Sequence, residues 1–380
     1  MKKVLAFVLS LVLIFTLVAV AACDGSNDKI GGNKFKEVDL NDTAKRAEFV
    51  NSLAERADTE KLIGNPNQAG WSFGLEEMAN SKFEFNVDVT PAGADKLTAK
   101  GNVEVTENVK ASIKSNGAKA APEFAASLVL GLKGNVELPE TVYGLLDGLF
   151  EGTFMEEIGF ATILQGLLTN FDYALGAYVD SDAALFELSE GLYGKLPEEV
   201  QQMLGSRKIM LPLGALSAST YASTTIGGFD GSMLQSGIIK AYIDSVLVEY
   251  LLQFKISVAV ANNSRGYALR LTANKESVLA ILDTALSYAQ AADAAAIKEM
   301  VAKSISEAKF ELTVRIDKDG AFSSIKTETA LKLSLDLDIP EFAAIKGTVS
   351  TSGSVEISVF KGTISKPNAA DYAIPAFMAE

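Results

Sequence analysis

The sequence predicts an α+β fold: a large curved antiparallel β-sheet whose one apolar face is covered by amphipathic helices. Three observations carry that expectation. Apolar and polar residues alternate with period two along much of the chain, so each strand has one oily and one wet face. One alternating run, 322–339, is long for a single strand, which favours a strongly curved, barrel-like sheet with bends. Between these runs lie segments with helical spacing, and these must cover the oily face. Composition agrees, since 48% of the 380 residues are apolar and 22% charged, enough for a large core.

The first element is a targeting segment. Lys2 and Lys3 precede an apolar run from Val4 to Ala22 that is broken only by Ser10 and Thr16 and ends in Val20-Ala21-Ala22-Cys23. A positive start, an apolar stretch and small residues before the break are what an exported, cleaved segment requires. The pattern resembles a bacterial lipoprotein signal with its lipobox, which implies cleavage after Ala22 and diacylation of the Cys23 thiol. Without that resemblance, the 19 residues from Val4 to Ala22 also suffice for an uncleaved anchor. Both readings put the rest of the chain on the extracytoplasmic side of the cell membrane, and two acyl chains give a stable hold. Asp24 to Lys36 is rich in Gly, Asn, Asp and Ser with no apolar period, a flexible tether with a reach of about 20 Å. The expected organisation is a signal over 1–22, lipidated Cys23 with its tether over 23–36, and one domain over 37–380.

The strands follow from the alternation. Phe83, Phe85, Val87 and Val89 begin the series. Val103, Val105, Val109, Ala111 and Ile113 follow, then Leu128, Leu130 and Leu132 toward Val136 and Leu138. Later come Phe254 to Val260, then Tyr267, Leu269 and Leu271 beyond a turn at 262–266. In the last third, Phe310 to Ile316 leads into the turn Asp317-Lys318-Asp319-Gly320, Leu331 to Ile339 alternates with Lys, Ser and Asp, and Val349, Val355, Ile357 and Val359 close the set.

Three segments read as helices. Asn274 caps one that runs to Ser306, with Val278, Leu282, Leu286, Ile297 and Val301 on its apolar side. Ser236 to Leu252 sets Ile239, Ile243, Val246 and Tyr250 opposite Lys240, Asp244 and Glu249. Pro139 to Leu168 is apolar nearly all round but holds five glycines and five acids, so it reads as broken helices against the sheet or as a lid.

Taken together, a lipoprotein signal, a polar tether, strand hairpins, and an amphipathic helix followed by strands of the Ile316-Asp317-Lys318-Asp319-Gly320 kind resemble the LolA/LppX-like lipoproteins. The resemblance rests on the order of elements over most of the mature chain. It implies a curved antiparallel half-barrel with helices in its concave face, enclosing an apolar cavity for acyl chains. The extra length here implies added strands, an insertion over about 180–237 or a partial duplication.

Composition excludes much chemistry. The chain has no histidine and Cys23 is its only cysteine, which removes Ser-His-Asp and Cys-His catalysis, His-ligated metals and structural disulfides. Without Lys2 and Lys3, 32 of the 34 basic residues remain against 48 acidic ones, a charge of −16 that disfavours nucleic acid. Neighbouring acids at Glu76-Glu77, Glu156-Glu157 and Glu198-Glu199 do not face each other as glycoside hydrolysis needs, and read as solvated faces. Asp317-x-Asp319-Gly320 lacks the remaining ligands of a calcium loop and reads as a hairpin turn, as does Asp180-Ser181-Asp182. No enzyme activity, cofactor or metal is expected. The functional expectation is a cavity lined by Phe83, Phe85, Phe154, Phe160, Leu164 and Leu168 that takes a lipid or other hydrophobic ligand. The alternative is a structural or interaction lipoprotein with a solid core, whose acidic surface meets a protein or cell-wall partner.

Overall fold

The computed structural model describes residues 34–375, except 57–58, 66–67, 117–122, 151–159, 213–239, 265, 289–293 and 340–342. Cys23, the signal and most of the tether lie outside the described residues. Among the described residues, twelve strands form one open antiparallel sheet in the order β1-β8-β9-β10-β11-β12-β2-β3-β4-β5-β6-β7. In chain order these are β1 Lys36–Val38, β2 Ser72–Pro91, β3 Leu97–Lys114, β4 Glu123–Glu137, β5 Phe171–Asp180, β6 Ala183–Leu188 and β7 Lys208–Pro212. They continue with β8 Ser257–Asn263, β9 Gly266–Asn274, β10 Ile305–Asp317, β11 Phe322–Ile339 and β12 Ala343–Val359. Two meanders, β2 to β7 and β8 to β12, are therefore joined along their longest strands, β12 against β2. β6 and β7 belong to this sheet although they fall within 180–237.

Register assigns the faces. Phe85 lies opposite Val349 and Gly101, and Val349 lies opposite Leu333, so these share one face with Phe83, Val103 and Leu132. The residues between them, such as Lys82, Glu84, Lys100, Asn102 and Lys346, point the other way. A one-residue slip would exchange the two sets, so the buried face fixes the pairing. β11 and β12 stay in register from Ser324↔Ser358 to Ile339↔Ala343. The irregularities fall instead between β10 and β11, at Ile305/Glu307 and Arg315/Ile316.

The helices pack on the apolar face. Helix α1 (Thr43–Arg56) and the helical turn Ile243–Leu247, which runs on into Val248–Gln253, cover β8 and β9 through Phe49, Val50, Val248, Leu251, Val258 and Leu269. Arg46 clamps the two helical pieces together, its Nε 2.8 Å from Asp244 Oδ1 and its Nη2 2.9 Å from Glu249 Oε1. That second segment ends at Gln253 because Lys255 turns back with φ +53°, so β8 starts at Ser257, three residues after Phe254. A short helix α2 (Thr59–Ile63) leads toward β2.

Two helix pairs cover the middle of the sheet. The first is Glu140–Phe150 (α3) with Phe160–Leu168 (α4); Leu167 and Leu168 pack on Val136, Phe171 and Tyr173. Beyond the short helices Glu190–Tyr193 and Glu198–Leu204 (α5, α6), and the segment Val248–Gln253 (α7), comes the second pair, Lys275–Tyr288 (α8) with Ala294–Ser304 (α9). There Asn274 caps as the sequence indicates, its Oδ1 accepting from the amides of Glu276 at 2.8 Å and Ser277 at 3.3 Å. Val278 and Val301 pack on Ile305, Leu333 and Val349.

The opposite face is polar except near β5 to β7. Tyr178, Ala183, Leu185 and Met210 make an apolar patch there, and the C-terminal segment crosses it with Phe360, Ile364 and Tyr372. Lys366 Nζ holds this strap to Asp180 at 2.6 Å, and Ala373 bridges to Ile209 of the edge strand β7. The strap thereby blunts an edge that is otherwise open to pairing.

Candidate functional site

The centre of the apolar face lies between the two helix pairs. Phe83 and Phe85 project from the middle of β2 with ring centroids 5.5 Å apart. Phe85 packs on both core clusters, that of Val136, Phe171 and Tyr173 under α4 and that of Ile305, Leu333 and Val349 under α8 and α9. Both rings are half-buried, as are Val103, Val105, Leu128, Leu130 and Leu175 on the same face. Among the described residues, Val136, Phe171, Ile305, Leu333 and Val349 on the flanks are more fully buried than this middle strip.

Of the six cavity residues expected from sequence, Phe85 and Leu168 pack on one cluster, and Phe83 stands beside Phe85. Leu164 lies one helical turn before Leu168 and is half-buried. Phe160 is the first residue of α4, and Phe154 lies outside the described residues. Sequence reasoning missed Phe171 and Tyr173, whose rings stack 5.5 Å apart at the start of β5. Their period-two spacing was the available signal.

The face also carries acids. Glu76 and Glu77 are strand neighbours, so they point to opposite sides. Glu76 meets Lys110 at 3.2 Å on the polar face, while Glu77 sits on the apolar face, diagonal to Glu107. Burial raises the Glu77 carboxyl above its ordinary value, and the charge of Glu107 adds to this. Among the described residues no group of three or more Cys, Asp or Glu could hold a metal. Asp317 makes a turn, its Oδ1 accepting from Asp319 and Ala321 amides, both at 2.9 Å. Asp180 Oδ1 does the same for Asp182 at 2.9 Å and Ala183 at 3.1 Å. Trp71 donates to the Ile63 carbonyl at 2.7 Å and stacks on Phe73, which pins α2 to the start of β2.

A cleft of about 560 Å³ opens between α2 and the ends of β10, β11 and β12. Lys61, Arg315 and Lys361 reach it from three distant stretches of sequence, which only the fold brings together. No helix among the described residues is long and apolar enough to cross a membrane. No protein-family model matches the chain, and no curated protein matches its sequence.

Proposed function

We propose that this chain is an extracytoplasmic lipoprotein, anchored through diacylated Cys23, that holds a lipid or other hydrophobic ligand between its sheet and helices. The sheet curves about the helices as a half-barrel, in the manner of the LolA/LppX-like lipoproteins. The observation that carries this reading is the strip around Phe83 and Phe85, apolar and half-buried between two separate helix pairs. A strip of that kind favours acyl chains, since burying apolar surface gains about 25 cal/mol per Å² without any need for directed polar contacts. Parting of the two helix pairs admits the ligand from the nearby bilayer, and no covalent chemistry is involved.

The second reading, a solid-cored interaction lipoprotein, draws on Ile305, Leu333 and Val349, which already close the face beneath α8 and α9. Titration of the body, residues 24–380, with a fluorescent fatty acid separates the two. Saturable binding that weakens in Phe83→Ala and Phe85→Ala supports the carrier; no saturable binding leaves the solid core.

A further inference from the structure

The strand registers fix the end of the sheet from which the tether leaves. Lys36 of β1 lies opposite Val260, and β8 continues to Asn263, which pairs with Gly266. Gly266 lies opposite Asp317, Phe322 opposite Ile316, Ser324 opposite Ser358, and Val359 opposite Leu75. The tether, the β10–β11 turn, the end of β12 and the start of β2 therefore share one end, and the 560 Å³ cleft is cut into it. Phe35 lies over the Arg270 guanidinium, 3.8 Å from ring centroid to Cζ. Arg270 is opposite Thr313, two residues before Arg315 in the cleft, a separation of about 8 Å by strand spacing. Read as a flexible tether, the stretch between Cys23 and Phe35 has a root-mean-square span of about 20 Å.

Lys61, Arg315 and Lys361 line this cleft together with Asp317 and Glu356. Glu356 and Arg315 pair with each other at 3.8 Å, and Asp317 keeps its charge while its Oδ1 accepts from the turn amides. Ser324 and Ser358, opposite each other in the register, add hydroxyls. The five charged side chains of the cleft sum to +1 on a chain that carries −16 without Lys2 and Lys3, and acids more than about 8 Å away are screened at physiological salt.

We propose that this cleft seats the phosphate head of an anionic phospholipid in the membrane that holds Cys23, and so fixes how the body stands on the bilayer. The proposal rests on the lipoprotein reading and adds a second, polar contact to it. Arginine and lysine with serine hydroxyls form a phosphate-binding donor set, and basic groups at a membrane surface favour anionic lipid.

Trp71, the only tryptophan, stands beside the cleft on Ile63 and Phe73 and reports on it. The full chain is reconstituted in phosphatidylcholine vesicles carrying a headgroup spin label, with or without phosphatidylglycerol, and Trp71 quenching is measured. Phosphatidylglycerol should increase quenching, K61E/K361E should abolish that increase, and K100E/K346E, the same charge change at the opposite end, should leave it intact. A lipidated chain whose Trp71 ignores phosphatidylglycerol overturns the proposal while the lipoprotein reading stands. Equal loss in both double variants overturns it too, as a response to net charge. Inorganic phosphate that displaces Trp71 from the bilayer supports a phosphate seat. If phosphate shifts Trp71 in solution while phosphatidylglycerol has no effect, the site takes a soluble anion and the proposal fails. Intact mass is measured first; an unmodified Cys23 removes the lipoprotein reading and the proposal with it.

Discussion

Glu328 on β11 is almost fully buried on the polar face, between Lys326 at 2.8 Å and Lys309 at 3.6 Å. Removing the buried carboxylate takes a 2.8 Å partner from Lys326, while Lys309 keeps Glu311, so Glu328→Ala should cost about 2 kcal/mol in chemical denaturation. Lys100→Ala, which breaks the exposed Lys100–Glu137 pair, should cost less than about 0.5 kcal/mol. Asp180 shows the pH side of the same physics. Burial works to raise its carboxyl, but Lys366 and the amides of Asp182 and Ala183 together hold it below its ordinary value of 3.8. A depressed carboxylate stabilises the fold above that value, and the contribution fades as pH falls through the lower folded one. Lys366→Met should therefore cost about 1 kcal/mol at pH 7, and the difference from the parent chain should shrink as pH falls below 3.8 and vanish once Asp180 is protonated in the folded chain. A difference that persists in acid would mean that the ion pair does not hold the strap. The Asp-Gly and Asp-Ser-Asp turns were legible in sequence because their chemistry is local. The partners of Lys366, more than 180 residues away, were not.

Elements were legible where period and length agreed. The alternation over 322–339 and 349–359 marked β11 and β12, and Asn274 marked the start of α8. Phe254 and Ile256 looked like strand by alternation, but they fall in the turn that follows Val248–Gln253, where a left-handed Lys255 overrides the pattern. In β12, Gly347 has φ +151°, and a Cβ there would collide with the Asn86 carbonyl of β2. Gly347→Ala should thus cost about 2–3 kcal/mol by forcing apart the central pair of strands. The strap makes a prediction for a whole segment. A chain ending at Phe360 uncovers Tyr178, Leu185 and Met210 and leaves β7 open-edged, so it should bind a hydrophobic dye and self-associate. A truncated chain that stays monomeric and dye-free would show the strap to be dispensable.

At the scale of the molecule, one polar and one apolar sheet face were readable from period two alone, because most strands repeat the same choice; β5 to β7, apolar on both faces, do not. Which strands meet was not readable, since β12 joins β2 across 250 residues of chain and no local signal records that pairing. The candidate site inherits this limit. Phe83 and Phe85 were identifiable as apolar, whereas their place between two helix pairs emerged only from the fold. Phe85→Ala tests that place, with an expected loss of about 2 kcal/mol for a half-buried ring and a matching fall in bound ligand. The central claim is that a hydrophobic ligand occupies this strip. The most direct measurement is mass spectrometry of organic extracts from the purified body, residues 24–380, beside a mock purification. A lipid present at near one copy per chain, and depleted in Phe85→Ala, is the predicted result. A folded body that yields no lipid above the mock extract would contradict it.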